Sequence, residues 1–103
     1  MTVLSDPAVA LFAPSDRARR LRDELLDFMD SSVYPAEPVY AEQMRAADDP
    51  HHHPAVLEEL KSQARRRGLW NLFHPEPRWG AGLTNLEYAP VAEIMGRSPV
   101  LAP

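Results

Sequence analysis

Apolar residues recur at helical spacing through three stretches of this chain. Ala18, Leu21, Leu25, Phe28, Met29 and Val33 follow one another at three- and four-residue steps, predicting a helix from about Asp16 to Val33 with one apolar stripe. Ser15 is a suitable N-cap and Asp16 falls in the first turn. The charges of this stretch suit an isolated helix poorly. Arg17, Arg19 and Arg20 crowd the positive end, and Asp27 and Asp30 lie near the negative one, so the helix needs a packing partner. Tyr34-Pro35-Ala36-Glu37-Pro38 leaves two possibilities open. Either the chain breaks there and Pro38 starts a second helix, running to about Ala47 with Val39, Tyr40 and Met44 inward, or one kinked helix passes through Pro35.

Asp48 to His53 reads as a loop, and Pro54 as the first residue of the next helix, with Val56, Leu57, Leu60 and Ala64 as its buried stripe. Glu58 and Glu59 come early in it and Arg65, Arg66 and Arg67 late, in agreement with the helix dipole. Gly68 supplies a left-handed stop, and Leu69 suits the apolar contact that accompanies one. Trp70, Leu72 and Phe73 make a short apolar cluster, His74-Pro75-Glu76-Pro77 a stiff turn, and Gly80-Ala81-Gly82 a permissive link.

Thr84-Asn85-Leu86-Glu87 has the form of a capping box, with Leu83 and Tyr88 spaced as a hydrophobic staple. Leu86, Val91, Ile94 and Met95 continue the pattern to a stop at Gly96, with a kink expected at Pro90. The expected fold is all-α: a small bundle of three to four short helices over residues 15–103, incomplete at its C-terminus. An irregular arm, residues 1–14, precedes it, with Leu11 and Phe12 available for docking.

Composition narrows the function more than it assigns one. The chain has 103 residues, enough for one domain, and no cysteine, which removes disulfides and thiolate metal sites. A net charge of −4 argues against a nucleic-acid surface and gives no pull toward anionic lipid. No apolar run approaches a membrane span, and the short run Ala8 to Ala13 has no basic residue before it, so a cytoplasmic location is expected.

No chemical constellation stands out. His51-His52-His53 are consecutive, whereas metal ligands are usually drawn from separated positions on a shared face. Gly80-Ala81-Gly82 lacks the strand and third glycine of a dinucleotide fingerprint. The arginines at 65 to 67 are explained by a helix C-terminus, Glu87 by its capping position, and Glu93 has no visible acid–base partner. Tyr34, Tyr40, Tyr88, Trp70 and Trp79 read as core or interface aromatics. No catalytic, cofactor-binding or metal residue is assigned.

Three segments resemble a known family: VYPAEPVY (Val33 to Tyr40), ELKSQARRRGLWNLFHPEP (Glu59 to Pro77) and GAGLTNLEYAPVAEIMGRSP (Gly80 to Pro99). Together they are similar to the N-terminal helical domain of acyl-CoA dehydrogenases, closest to the branch of family members ten and eleven. His74, where an aliphatic residue is expected, and the His-rich loop depart from the pattern. The resemblance implies a flavoprotein that removes two hydrogens from the α and β carbons of an acyl-CoA thioester, with a carboxylate taking the α proton and FAD accepting the hydride. It also implies that FAD and the catalytic carboxylate belong to later domains, so this chain alone is expected to bind no FAD and to be inactive. The segment near Val100 and Leu101 would wall the acyl pocket. A second reading is a stand-alone helical interaction module that pairs with a larger dehydrogenase-like chain. Either way the apolar stripes need cover, by self-association or by such a partner.

Overall fold

The computed structural model describes residues 14–103, so all of the expected arm except Pro14 lies outside the described residues. It is all-helical over that span: α1 (Asp16–Phe28), a π-helical turn (Met29–Val33), α2 (Tyr34–Ala47), α3 (Ala55–Arg66) and α4 (Asn85–Met95). Of the two possibilities left open at Pro35, the structure adopts the continuous helix. Tyr34 and Glu37, both preceding prolines, are helical, and Pro38 lies inside α2 instead of starting it. The π-turn makes this possible. The Tyr34 amide donates to the Met29 carbonyl five residues back, widening the helix over Ser31, whose carbonyl the Pro35 ring would otherwise meet. Both prolines face solvent, the side on which a bent helix opens. Since no helix ends at Val33, Asp27 and Asp30 do not sit at a negative terminus, and that objection to the charge pattern disappears.

The rod formed by α1, the π-turn and α2 carries the core stripe as spaced in the sequence. Leu25, Phe28, Met29 and Val33 are fully buried, Ala18 nearly so, and Leu21 packs against them. From α3 come Leu60 and Ala64, from α4 Val91 and Ile94, and from the connecting segments Leu69, Leu72 and Leu101. Two expected core positions turn outward. Val39 is 44% exposed because α2 continues in phase from the π-turn, and Leu86 is 54% exposed in the first turn of α4.

The helix ends follow local chemistry. Asp48 closes α2 in a left-handed conformation, φ 51°. Pro54, one residue outside α3, cannot cap it with a side chain, and the Gln43 side-chain oxygen on α2 accepts from the Val56 amide instead, at 3.0 Å. The end of α3 is a full Schellman motif: Leu69 N–H donates to the Ala64 carbonyl at 2.8 Å and Gly68 N–H to that of Arg65 at 3.2 Å, with Gly68 at φ +72°. At α4 both halves of the capping box form, Glu87 N–H to Thr84 Oγ1 at 3.1 Å and Thr84 N–H to Glu87 Oε1 at 3.0 Å. Gly96 does end α4, but in a right-handed conformation (φ −64°), and the chain winds on through turns that bury Ser98 and Leu101. Pro90 lies within α4 on its exposed side.

Candidate functional site

A concave apolar surface with a charged rim lies where α1 meets α4. A groove of about 380 Å³ runs between them, with Ala18 on one wall, Leu86 and Pro90 on the other, and Val91 and Ile94 at its floor. One end is closed by a polar knot that joins residues some seventy positions apart. Glu87 Oε1 accepts from Arg17 Nη2 at 2.8 Å and from the Thr84 amide; Glu87 Oε2 accepts from Arg17 Nε at 3.1 Å and from Ser15 Oγ at 2.7 Å. The second nitrogen of the fork, Arg17 Nη2, also donates to the Gly82 carbonyl at 2.8 Å. Ser15 still performs its own cap, accepting from the Ala18 amide.

This arrangement decides the chemistry of Glu87. Its side chain is 14% exposed, and the Arg17 guanidinium, with the Thr84 amide and the Ser15 hydroxyl, holds the carboxyl well below the usual carboxylate range. A carboxylate whose oxygens are filled by four donors is a poor proton acceptor, so Glu87 ties two helices together and is not a base. Glu93 is likewise occupied: Arg97, one turn on, donates from Nη2 to Oε2 at 2.9 Å and from Nε to Oε1 at 3.3 Å.

The remaining singled-out residues are not gathered at one place. His51, His52 and His53 are exposed on the loop after α2, and among the described residues no cluster of three or more His, Asp or Glu side chains is placed to hold a metal. The arginine run is engaged internally. Arg65 lies 4.3 Å over the Trp70 ring, Arg66 donates to Ser62, and Arg67 bridges to Glu24 and Asp27 of α1 at 2.5 and 2.6 Å. In the glycine loop, the amides of Gly80 and Gly82 donate to the carbonyls of Glu76 and His74, so neither is aimed outward as in a phosphate cradle. His74 takes a structural part, its Nδ1 accepting from the Glu76 amide at 3.2 Å. Neither the arginine run nor the two glycine amides is therefore aimed at an outside phosphate. Sequence reasoning missed the pairing of Arg17 and Ser15 with Glu87, and no local signal could have found a contact of that separation.

Comparison with known proteins gives these helices a context. No protein-family profile matches the sequence. Probable acyl-CoA dehydrogenase FadE2 of Mycobacterium tuberculosis is 48% identical over 93 residues, 89% of this chain, and acyl-CoA dehydrogenase family member 10 of Mus musculus is 43% identical over 89 residues, 82% of it. A solved Mycobacterium abscessus structure assigned to the acyl-CoA dehydrogenases superposes with a TM-score of 0.70 at 42% identity over 86% of the chain. The chain is homologous to acyl-CoA dehydrogenases. Its all-helical fold is that of the N-terminal helical domain of the acyl-CoA dehydrogenase neighbour. It spans a small part of these proteins: 22% of FadE2, 8% of family member 10 and 25% of the solved acyl-CoA dehydrogenase.

Proposed function

We propose that the chain serves as the leading helical domain of an FAD-dependent enzyme that desaturates an acyl-CoA thioester between its α and β carbons. On this reading the flavin and the proton-abstracting carboxylate are held by residues other than those described. The 48% identity to FadE2 over nearly nine-tenths of the chain carries the reading. What the domain contributes is shape. Of the two residues that the resemblance puts near an acyl pocket, Leu101 is packed in the core at 4% exposure and Val100 stands out at 59%, so Val100 is the one with a side chain free to touch an acyl chain.

The test is a chimaera in which this chain replaces the matching segment of FadE2. Retained yellow flavin absorbance and acyl-CoA-dependent reduction of an electron acceptor are expected. A folded, colourless chimaera would overturn the proposal, and so would flavin bound by this chain alone. Val100→Trp in the active chimaera is expected to reduce kcat/KM for long acyl chains more than for short ones. An unchanged chain-length profile removes the role given to Val100.

A further inference from the structure

We infer that two copies of this chain pair, each laying the outer face of its α1–α2 rod against the Arg78–Trp79 surface of the other. That surface follows the end of α3, where Arg65, Trp70, Arg78 and Trp79 line an open cleft of about 310 Å³. Each guanidinium lies over an indole, Arg65 at 4.3 Å from the Trp70 ring centre and Arg78 at 5.7 Å from that of Trp79. Stacking occupies the flat face of each fork and leaves its N–H edge unused. Among the described residues no carboxylate lines the cleft or pairs with either arginine, whereas Arg66, Arg67 and Arg97 are all engaged. The outer face of the rod is the complement. Asp23, Asp27 and Asp30 recur there at helical spacing, and Pro35, Pro38 and Val39 follow them, all six exposed. Asp27 is held by Arg67. Asp23 and Asp30 have no cation partner among the described residues, and Arg20, one turn before Asp23, offsets that end, so Asp30 carries most of the free charge. An acidic stretch running into an apolar one thus matches free arginines beside a Trp79 ring that is 61% exposed, the residue types that anchor interfaces. The two surfaces adjoin within each copy, because Arg67 stands two residues from Arg65 and bridges to Asp27 on the rod. A twofold axis near that bridge sets each surface against its counterpart and closes the assembly at two copies. The occupant is therefore the chain itself, which carries the missing partner of both surfaces. The inference holds whether or not the domain works inside a dehydrogenase.

Charge exchange in the full chain tests the contact. Sedimentation equilibrium compares the parent with Arg78→Glu, with Asp30→Arg and with the two combined. Arg22→Glu, which lies in the α1–α4 groove and makes the same change in net charge as Arg78→Glu, is the control. Circular dichroism checks that each keeps its helix, and Asp23→Arg takes the place of Asp30→Arg if that variant loses it. Each single interface variant is expected to raise the dimer Kd by about tenfold or more, and the combined variant to return within about threefold of the parent, because the exchanged charges meet again. Arg22→Glu should leave the Kd near that of the parent, and added salt should weaken the parent dimer. Both tryptophans of the chain line the cleft, so their emission should shift on dilution through the Kd. A parent that stays monomeric, or single variants that pair as well as the parent, would overturn the inference. So would Arg22→Glu weakening the dimer as much as Arg78→Glu, or a combined variant no better than the singles. Growth beyond two copies would overturn the twofold pairing.

Discussion

Glu87 shows how one side chain does the work of a cap and of a tertiary tie. Its folded-state pKa is depressed, first by Arg17 and then by the Thr84 amide and Ser15 hydroxyl, so its stabilisation is fully present above the unfolded-state value near 4.5. That stabilisation is lost as pH falls from there toward the lower folded value. Glu87→Gln keeps an oxygen for the Thr84 amide and removes the charge that Arg17 needs. The variant should therefore melt below the parent chain at pH 7, and the gap should begin to narrow below about pH 4.5 and still be narrowing at pH 3. A gap independent of pH would show that the charge is not what matters. The glycines differ in sign for reasons equally local. Gly96 is right-handed and its added methyl would meet only ordinary contacts at 3.4 Å, so Gly96→Ala should stabilise by about 0.4–1 kcal/mol through the unfolded chain. Gly68→Ala should cost about 1 kcal/mol, since φ is +72° although nothing lies within 4 Å. Gly80→Ala should cost more than either, because its Cβ would fall 2.5 Å from the Asn71 and His74 carbonyls. Urea denaturation of the three variants gives the order directly.

At the scale of elements, Pro90 interrupts α4 on its solvent face, where a ring gains little packing and one backbone bond is missing. Pro90→Ala should raise the stability of the chain by about 1 kcal/mol or more, within the ~3 kcal/mol penalty of an interior proline. A loss of stability on denaturant titration would mean that the bend itself is needed for packing. Arg67 joins the end of α3 to α1 through Glu24 and Asp27 while lying 5.3 Å over the Phe28 ring. Arg67→Lys should lose the forked geometry and about 1 kcal/mol, with the difference shrinking in high salt. These cases mark what sequence could and could not supply. The capping box at Thr84, the Schellman stop at Gly68 and the stripe from Ala18 to Val33 were legible because each is set by residues within a few positions. The path through Pro35 was not, because it depends on a π-turn upstream that no residue spacing announces. Nor was the outward turn of Val39 and Leu86, which follows from how long helices stay in phase. The knot at Glu87 needs positions 15, 17 and 87 together, which only the tertiary fold provides.

The whole molecule is longer than its size requires. Its radius of gyration is 16.4 Å, where a compact domain of about 100 residues has about 13 Å. Its long axis of 56 Å is set by the rod of α1 and α2, roughly 50 Å for a continuous helix of some thirty residues. A rod flanked by two shorter helices leaves large apolar side chains uncovered. Phe73 is 64% exposed, Trp79 61%, and Val100 59%. Aromatic residues of this kind anchor interfaces when a partner buries them. In a dehydrogenase the neighbouring domains would provide that cover; for the chain by itself a second copy is the available substitute. Light scattering across a concentration series should therefore show reversible self-association of the isolated chain. Phe73→Ser combined with Trp79→Ser should shift it toward monomer without loss of helix, because neither side chain belongs to the core. A chain that stays monomeric at high concentration would overturn this expectation, and a double variant that still associates would place the sticky surface elsewhere, with Leu86 and the α1–α4 groove the next to test.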